Sequence, residues 1–218
     1  ISLRNVPEIG SRKVVLFETR PAVRNQLSGR RETNGPEYPS SGAELDFFLA
    51  DKIQGLRLEI LDKNKKLVRA FEPNMKKDSV NTERNMSTEF SNPPASPTLP
   101  NQAGMNHFKW NMRHSGGWDK DPNRAYTGNG PLVATGTYIA RLKAGDEVIE
   151  QEFEVRLDPR TTLVSEEDVA EQEQLTLEIQ AFRDEIAKLI YAMDQKKKQL
   201  ETQISQEKGN RQIEIQKS

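Results

Sequence analysis

His107 and His114 are the two histidines of this chain, seven residues apart. Imidazoles bind transition metals, but a site needs three or four ligands converging on one point. No neighbouring residues supply the rest at a ligand spacing, so two surface histidines are expected. Asp119, Asp121 and Asn123 alternate within WDKDPNRAYTGNG, as oxygen ligands do at the start of a calcium loop. The later bidentate Glu is missing and Pro122 intrudes, so a solvated turn is expected. Glu150, Glu152 and Glu154 fall on one face of one stretch. A glycosidase dyad needs two acids about 5–10 Å apart in a cleft. Acids along one exposed strand face are instead a solubilising device. No Ser or Thr stands in a nucleophile-elbow or phosphate-loop context. The chain has no cysteine, which removes thiol nucleophiles, disulfides and thiolate metal sites. These residues yield no catalytic set, no metal ligand set and no cofactor site.

Three aromatic residues carry a binding option, because aromatic faces stack on the apolar patches of sugars. Trp110 lies on the inward phase of a strand pattern and is expected in the core. Trp118, in a Gly-rich loop, and Tyr126 remain as the candidate ligand-binding residues. Lys196, Lys197 and Lys198 read as a charged helix face.

The elements that position these residues are mostly strands. Asn106, Phe108, Trp110 and Met112 alternate with His107, Lys109 and Asn111. Tyr138, Ala140 and Leu142 alternate with Ile139, Arg141 and Lys143, and Ile149 to Leu157 repeats the pattern. A period of two sends successive side chains to opposite faces, so one face is buried and the other wet. Ala144-Gly145-Asp146 between the last two runs predicts a tight hairpin. Upstream, Ala43, Leu45, Phe47 and Leu49 alternate, as do Leu56, Leu58 and Ile60, with a turn at Asp62-Lys63-Asn64-Lys65.

These strands predict an antiparallel, immunoglobulin-like (fibronectin III-like) sandwich over residues 42–160. It is interrupted by a long Pro-rich loop at 73–103, expected to be mobile or loosely packed. Residues 1–41 read as an irregular linker from an upstream domain, with Val14–Phe17 as one short strand. Residues 161–218 switch to a helical pattern. Ser165 with Asp168 three positions on forms a capping-box variant, and Glu166 and Glu167 suit the positive end of a helix dipole. Leu175, Ile179, Phe182, Ile186, Leu189 and Met193 then recur at spacings of four and three, a coiled-coil seam. It breaks at Lys196 and resumes weakly at Leu200 and Ile204. Lys208-Gly209-Asn210 is a candidate helix end or hairpin turn. A helix from Glu166 to Glu207 would be roughly 60 Å long. Its seam needs cover from the sandwich, the segment after Gly209, a second copy or another protein.

Composition narrows the function classes. Thirty-two basic and 33 acidic residues leave a net charge of −1, which gives no field to gather nucleic acid or an anionic membrane. No apolar run approaches the roughly 20 residues that cross a bilayer. Charged residues make up 30% and mean hydropathy is −0.80, polar enough that part of the chain is expected to be extended or exposed. The chain opens at Ile1 without a signal peptide, and a piece of a longer protein is expected.

The stretches GMNHFKWNMRH and GPLVATGTYIARLKAGDEVIEQEFEVRLDPR resemble an Ig-like module of the flagellar hook-capping type. Gly104, Asn106 and Trp110 stand for its first strand; Gly136, Tyr138 and Leu142 stand for the next. The flanks VVLFETRPAVR, GAELDFFL and DPRTTLVSEEDVAEQEQLTLEI are similar to the C-terminal region of secreted bacterial proteins with sortilin-like β-propellers, often called glycosyl hydrolases. The resemblance runs from about Val14 to Met193 and leaves out the propeller and its Asp-box repeats. It implies an exported, extracellular or cell-envelope protein and a partner that is an upstream β-propeller or another envelope protein. The resulting expectation is a non-catalytic accessory region whose Ig-like module and coiled-coil helix mediate protein–protein assembly. Two other readings are a carbohydrate-binding module using Trp118 and Tyr126, and an enzyme whose active site lies in the absent upstream part or at its junction with this segment.

Overall fold

The computed structural model describes residues 12–24, 42–73, 98–121, 126, 128–161 and 163–217, with the side chains of 207–217 excepted. It is mainly β with one appended helix. The strands are β1 (Val14–Leu16), β2 (Ala22–Arg24), β3 (Ala43–Leu49), β4 (Arg57–Asp62), β5 (Leu67–Phe71), β6 (Gly104–Trp110), β7 (Arg113–Ser115), β8 (Asn129–Leu132), β9 (Gly136–Ala144) and β10 (Glu147–Leu157). Helix α1 follows as Glu166–Lys217. One sheet has the order β1-β3-β6, a second β2-β10-β9-β4-β5, and β7 pairs with β8 in a small third.

Period-two patterning sets which side chains go inward. Ala43, Leu45, Phe47 and Leu49 of β3 are fully buried, as are Leu58 and Ile60 of β4 and Ala140 and Leu142 of β9. Side chains from the three-stranded and five-stranded sheets share one apolar cluster. At its centre the Trp110 ring is fully buried, 5.6 Å from the Tyr138 ring and 6.0 Å from Phe153. The indole Nε1 donates to the Arg113 carbonyl at 3.0 Å, so its polar edge is satisfied. The hairpin expected after Ala144 forms, with Gly145 at φ 62° as a two-residue turn requires. At the β4–β5 turn, Asp62 accepts from the backbone of Asn64 and Lys66, and Lys65 takes a left-handed φ of 61°.

Several elements differ from what the sequence suggests. Val14–Leu16 is a strand, antiparallel to β3, but Ala22–Arg24 also pairs, and in parallel, with the end of β10. The chain therefore crosses from one sheet to the other between residues 17 and 21. Three-residue strands are too short to show a period, so this second strand and its direction had no sequence signal. Residues 1–11 and 25–41 lie outside the described residues. So do 74–97, most of the Pro-rich loop; its end is packed, with Leu99 in the core and Asn101 clamping both backbone groups of Ile53. The turn at Lys208-Gly209-Asn210 does not occur, and α1 runs on through it as 52 residues, about 78 Å long. A single glycine costs a helix interior only about 1 kcal/mol and does not force an end.

Candidate functional site

Charged side chains pair across neighbouring strands of the sheets. Glu59 on the outer face of β4 meets Lys143 at 2.8 Å, Arg57 at 3.0 Å and Arg141 at 3.5 Å. Burial pushes its carboxyl upward, but the Lys143 hydrogen bond and the three cations outweigh that and hold it below the usual range. Glu150 is paired with Arg141 and Lys65, and Glu154 with Arg156. Glu150 and Glu154 of β10 thus neutralise neighbouring cations. His107 bonds Asp46 at 2.7 Å on the exposed side of β6. His114, expected on the surface, lies in β7 and is partly buried where it bonds Glu173 of α1 at 2.5 Å. Among the described residues no group of three or more His, Asp or Glu could hold a metal ion. In the calcium-like stretch the backbone N–H of Asp121 donates to Asp119 at 2.8 Å, a local turn; Asn123 lies outside the described residues.

One buried cation was not legible in the sequence. Arg69 of β5 is 1% exposed and points into the core opposite Ile60. Its guanidinium donates to Asn129 at 2.9 Å, more weakly to Asn111 and the His114 carbonyl, and lies 5.0 Å from the Phe71 ring centre. Burial, and then the nearby Arg113 charge, lowers its pKa to about 10. Strand pattern predicts a core side chain here but never names a charged one. Its effect is positional: it ties the β7–β8 hairpin to β5.

That hairpin carries the helix. Ser165 and Asp168 form the reciprocal cap, Asp168 accepting from the Ser165 backbone at 2.8 Å and donating its own N–H to the Ser165 hydroxyl at 3.1 Å. From there one side of α1 lies on the β body. Val169 is buried, and Gln172 accepts from the buried Arg24 of β2 at 2.7 Å. His114 holds Glu173, and Gln180 donates to the Ser115 carbonyl at 3.3 Å. Asp184 is 8% exposed; its Oδ1 accepts no hydrogen bond and has Arg183 Nη2 at 3.9 Å. Gly117 sits so close that a Cβ there would come within 2.6 Å of Asp184 Oδ1. Trp118 meets Tyr191 edge to face at 5.8 Å. The docked side is therefore mostly polar.

The seam faces the other way. At 100° per residue, Leu175, Ile179, Phe182, Ile186, Leu189 and Met193 lie roughly 150° around the helix from the docked side. All are exposed: Leu175 by 55%, Phe182 by 65% and Met193 by 63%. The chain's own β body does not cover them. From Ala192 to Gln206 every residue but Gln195 is also exposed. Of the two candidate ligand-binding aromatics, Trp118 is half-buried against the helix, while Tyr126 is 48% exposed, tied by its backbone to Gly117 and strained at φ 61°. No described helix is long and apolar enough to cross a membrane.

No family model and no curated protein matches this chain. A solved structure, that of CopC from Methylosinus trichosporium OB3b, aligns over 56% of this chain and 80% of its own at 14% identity. Its TM-score of 0.24 carries no argument about fold or function.

Proposed function

We propose that this chain is a non-catalytic interaction region of an exported bacterial protein, an Ig-like module that presents a helix for protein–protein assembly. The observation that carries the reading is the opposed pair of helix faces. A polar face is spent on the chain's own β body, and an apolar seam is left in solvent. An uncovered apolar stripe of this length marks an interaction surface.

The Ig-like reading has support in strand order. Taking β3, β4, β5, β6, β9 and β10 as strands B, C, C′, E, F and G gives the neighbours B–E and G–F–C–C′ of that architecture. Tyr138 donates its hydroxyl to the Ala134 carbonyl, four residues upstream, at 2.9 Å, in the manner of a tyrosine corner. Export, a sortilin-like propeller upstream and an envelope partner rest on the sequence resemblance from about Val14 to Met193 alone. The carbohydrate-binding alternative is weaker, because part of the Trp118 ring is engaged by Tyr191.

The test replaces Leu175, Phe182 and Leu189 with Gln. The expected result is an unchanged melting temperature and near-ultraviolet spectrum of the β body, because these side chains are exposed on the helix face turned away from it, together with weaker assembly. A large drop in the melting temperature of the β body would mean that the seam is internal packing, and the reading would fail.

A further inference from the structure

The proposal above leaves the occupant of the seam open, and the helix itself narrows it. With Ile179 at heptad position a, Ile186 and Met193 also fall at a, and Leu175, Phe182 and Leu189 fall at d. From Glu173 onward the residues that fasten α1 to the β body are Glu173, Gln180, Asp184 and Tyr191, at positions b and f, which point outward from a coiled coil. Val169 and Gln172, at e and a, dock in the turn before, so pairing begins at Leu175. Docking on the β body and pairing through the seam are compatible, with the two bodies on the outer flanks.

The geometry points to a second copy of this chain as the occupant, its α1 lying parallel and in register as a two-stranded coiled coil. This rests on the interaction reading above. Among parallel coiled coils, Ile at a with Leu at d favours two strands over three or four. Flanking charge selects the orientation. In a parallel pair, position g of one helix meets e of the next heptad on the other, which brings Glu178 to Arg183 of the second copy. Both side chains are exposed; Glu178 accepts from Gln174 and Arg183 lies beside Asp184 and Gly117, so each exchanges a weak local contact for the pair. The antiparallel pair that sets Met193 against Leu175 would bring Glu185 to Glu185 across the g positions and Arg183 to Arg183 across the e positions, like charge on like. Lys196 at the next d position ends the tight part of the seam, and Leu200 at a extends it weakly.

Light scattering during size exclusion should return twice the chain mass, falling toward one on dilution. Ile186→Glu with Leu189→Glu should give a monomer with an unchanged β-body melt. The chain lacks cysteine, so Met193→Cys introduces a unique thiol. In a parallel pair the two thiols face each other and oxidise to a disulfide-linked dimer. In an antiparallel pair they lie roughly 27 Å apart, 18 residues at 1.5 Å each, each opposite Leu175 of the other copy, and stay reduced. A mass of one chain at every concentration, with α1 still helical by circular dichroism, overturns the self-pairing and leaves the interaction reading standing for another protein. A dimer whose Met193→Cys thiols do not cross-link, but which links when mixed with Leu175→Cys, overturns the parallel orientation.

Discussion

Asp158 closes β10 by accepting from the Arg160 guanidinium and backbone N–H. Those two bonds hold its carboxyl down to about 2. A depressed carboxyl stabilises the folded chain while ionised. Its contribution is complete above the unfolded pKa of roughly 3.9 and is lost as pH falls toward 2. Glu59, also lowered, acts in the same direction. Urea-unfolding free energy should therefore fall below about pH 4, and the fall should be shallower in Asp158→Asn and in Glu59→Gln. Trp110 and Arg69 make opposite demands on the core. Trp110→Ala removes a fully buried ring and is expected to cost about 3–5 kcal/mol by denaturant titration. Arg69→Met keeps the volume but leaves the Asn111, Asn129 and His114 oxygens without that donor, a cost of roughly 1–3 kcal/mol. The first of these sites is legible in the alternation of β6. The second is not, because alternation reports burial and says nothing of how a buried charge is satisfied.

The β7–β8 hairpin is the element on which the helix depends. It is short, irregular in register and barely apolar, so no period announces it. Its geometry requires Gly130, where a Cβ would come within 2.1 Å of the Ser115 carbonyl. That oxygen belongs to the backbone and cannot swing aside. Gly130→Ala should break the hairpin and release α1 without unfolding the larger sheets. The expected signature is faster hydrogen exchange across residues 169–191, with protection of β3, β4 and β9 kept. Loss of protection everywhere would show instead that the hairpin is integral to the core. The helix itself was legible: its cap, its acidic first turn and its seam all stand in the sequence. Its docked side was not, because Gln172, Glu173, Gln180 and Asp184 have no periodic hydrophobicity to mark them.

For the whole molecule, the named contacts between helix and β body end at Tyr191. Truncation after Ala192 should leave the β-body melting temperature unchanged at a dilution where the chain is monomeric. If self-pairing holds, the melting temperature of the intact chain rises with protein concentration, since association that favours the folded state adds to its stability. The sequence by itself determined the long strands, their inward faces, two tight turns, the helix start and the apolar seam. Each of these is a local period or a local hydrogen bond, written within a few consecutive residues. Only the tertiary structure decided that Ala22–Arg24 joins β10 in parallel, that Arg69 is buried, and that α1 lies on its polar side. Those outcomes depend on which distant groups satisfy one another, and a buried polar group is settled by its partners rather than by its neighbours in sequence.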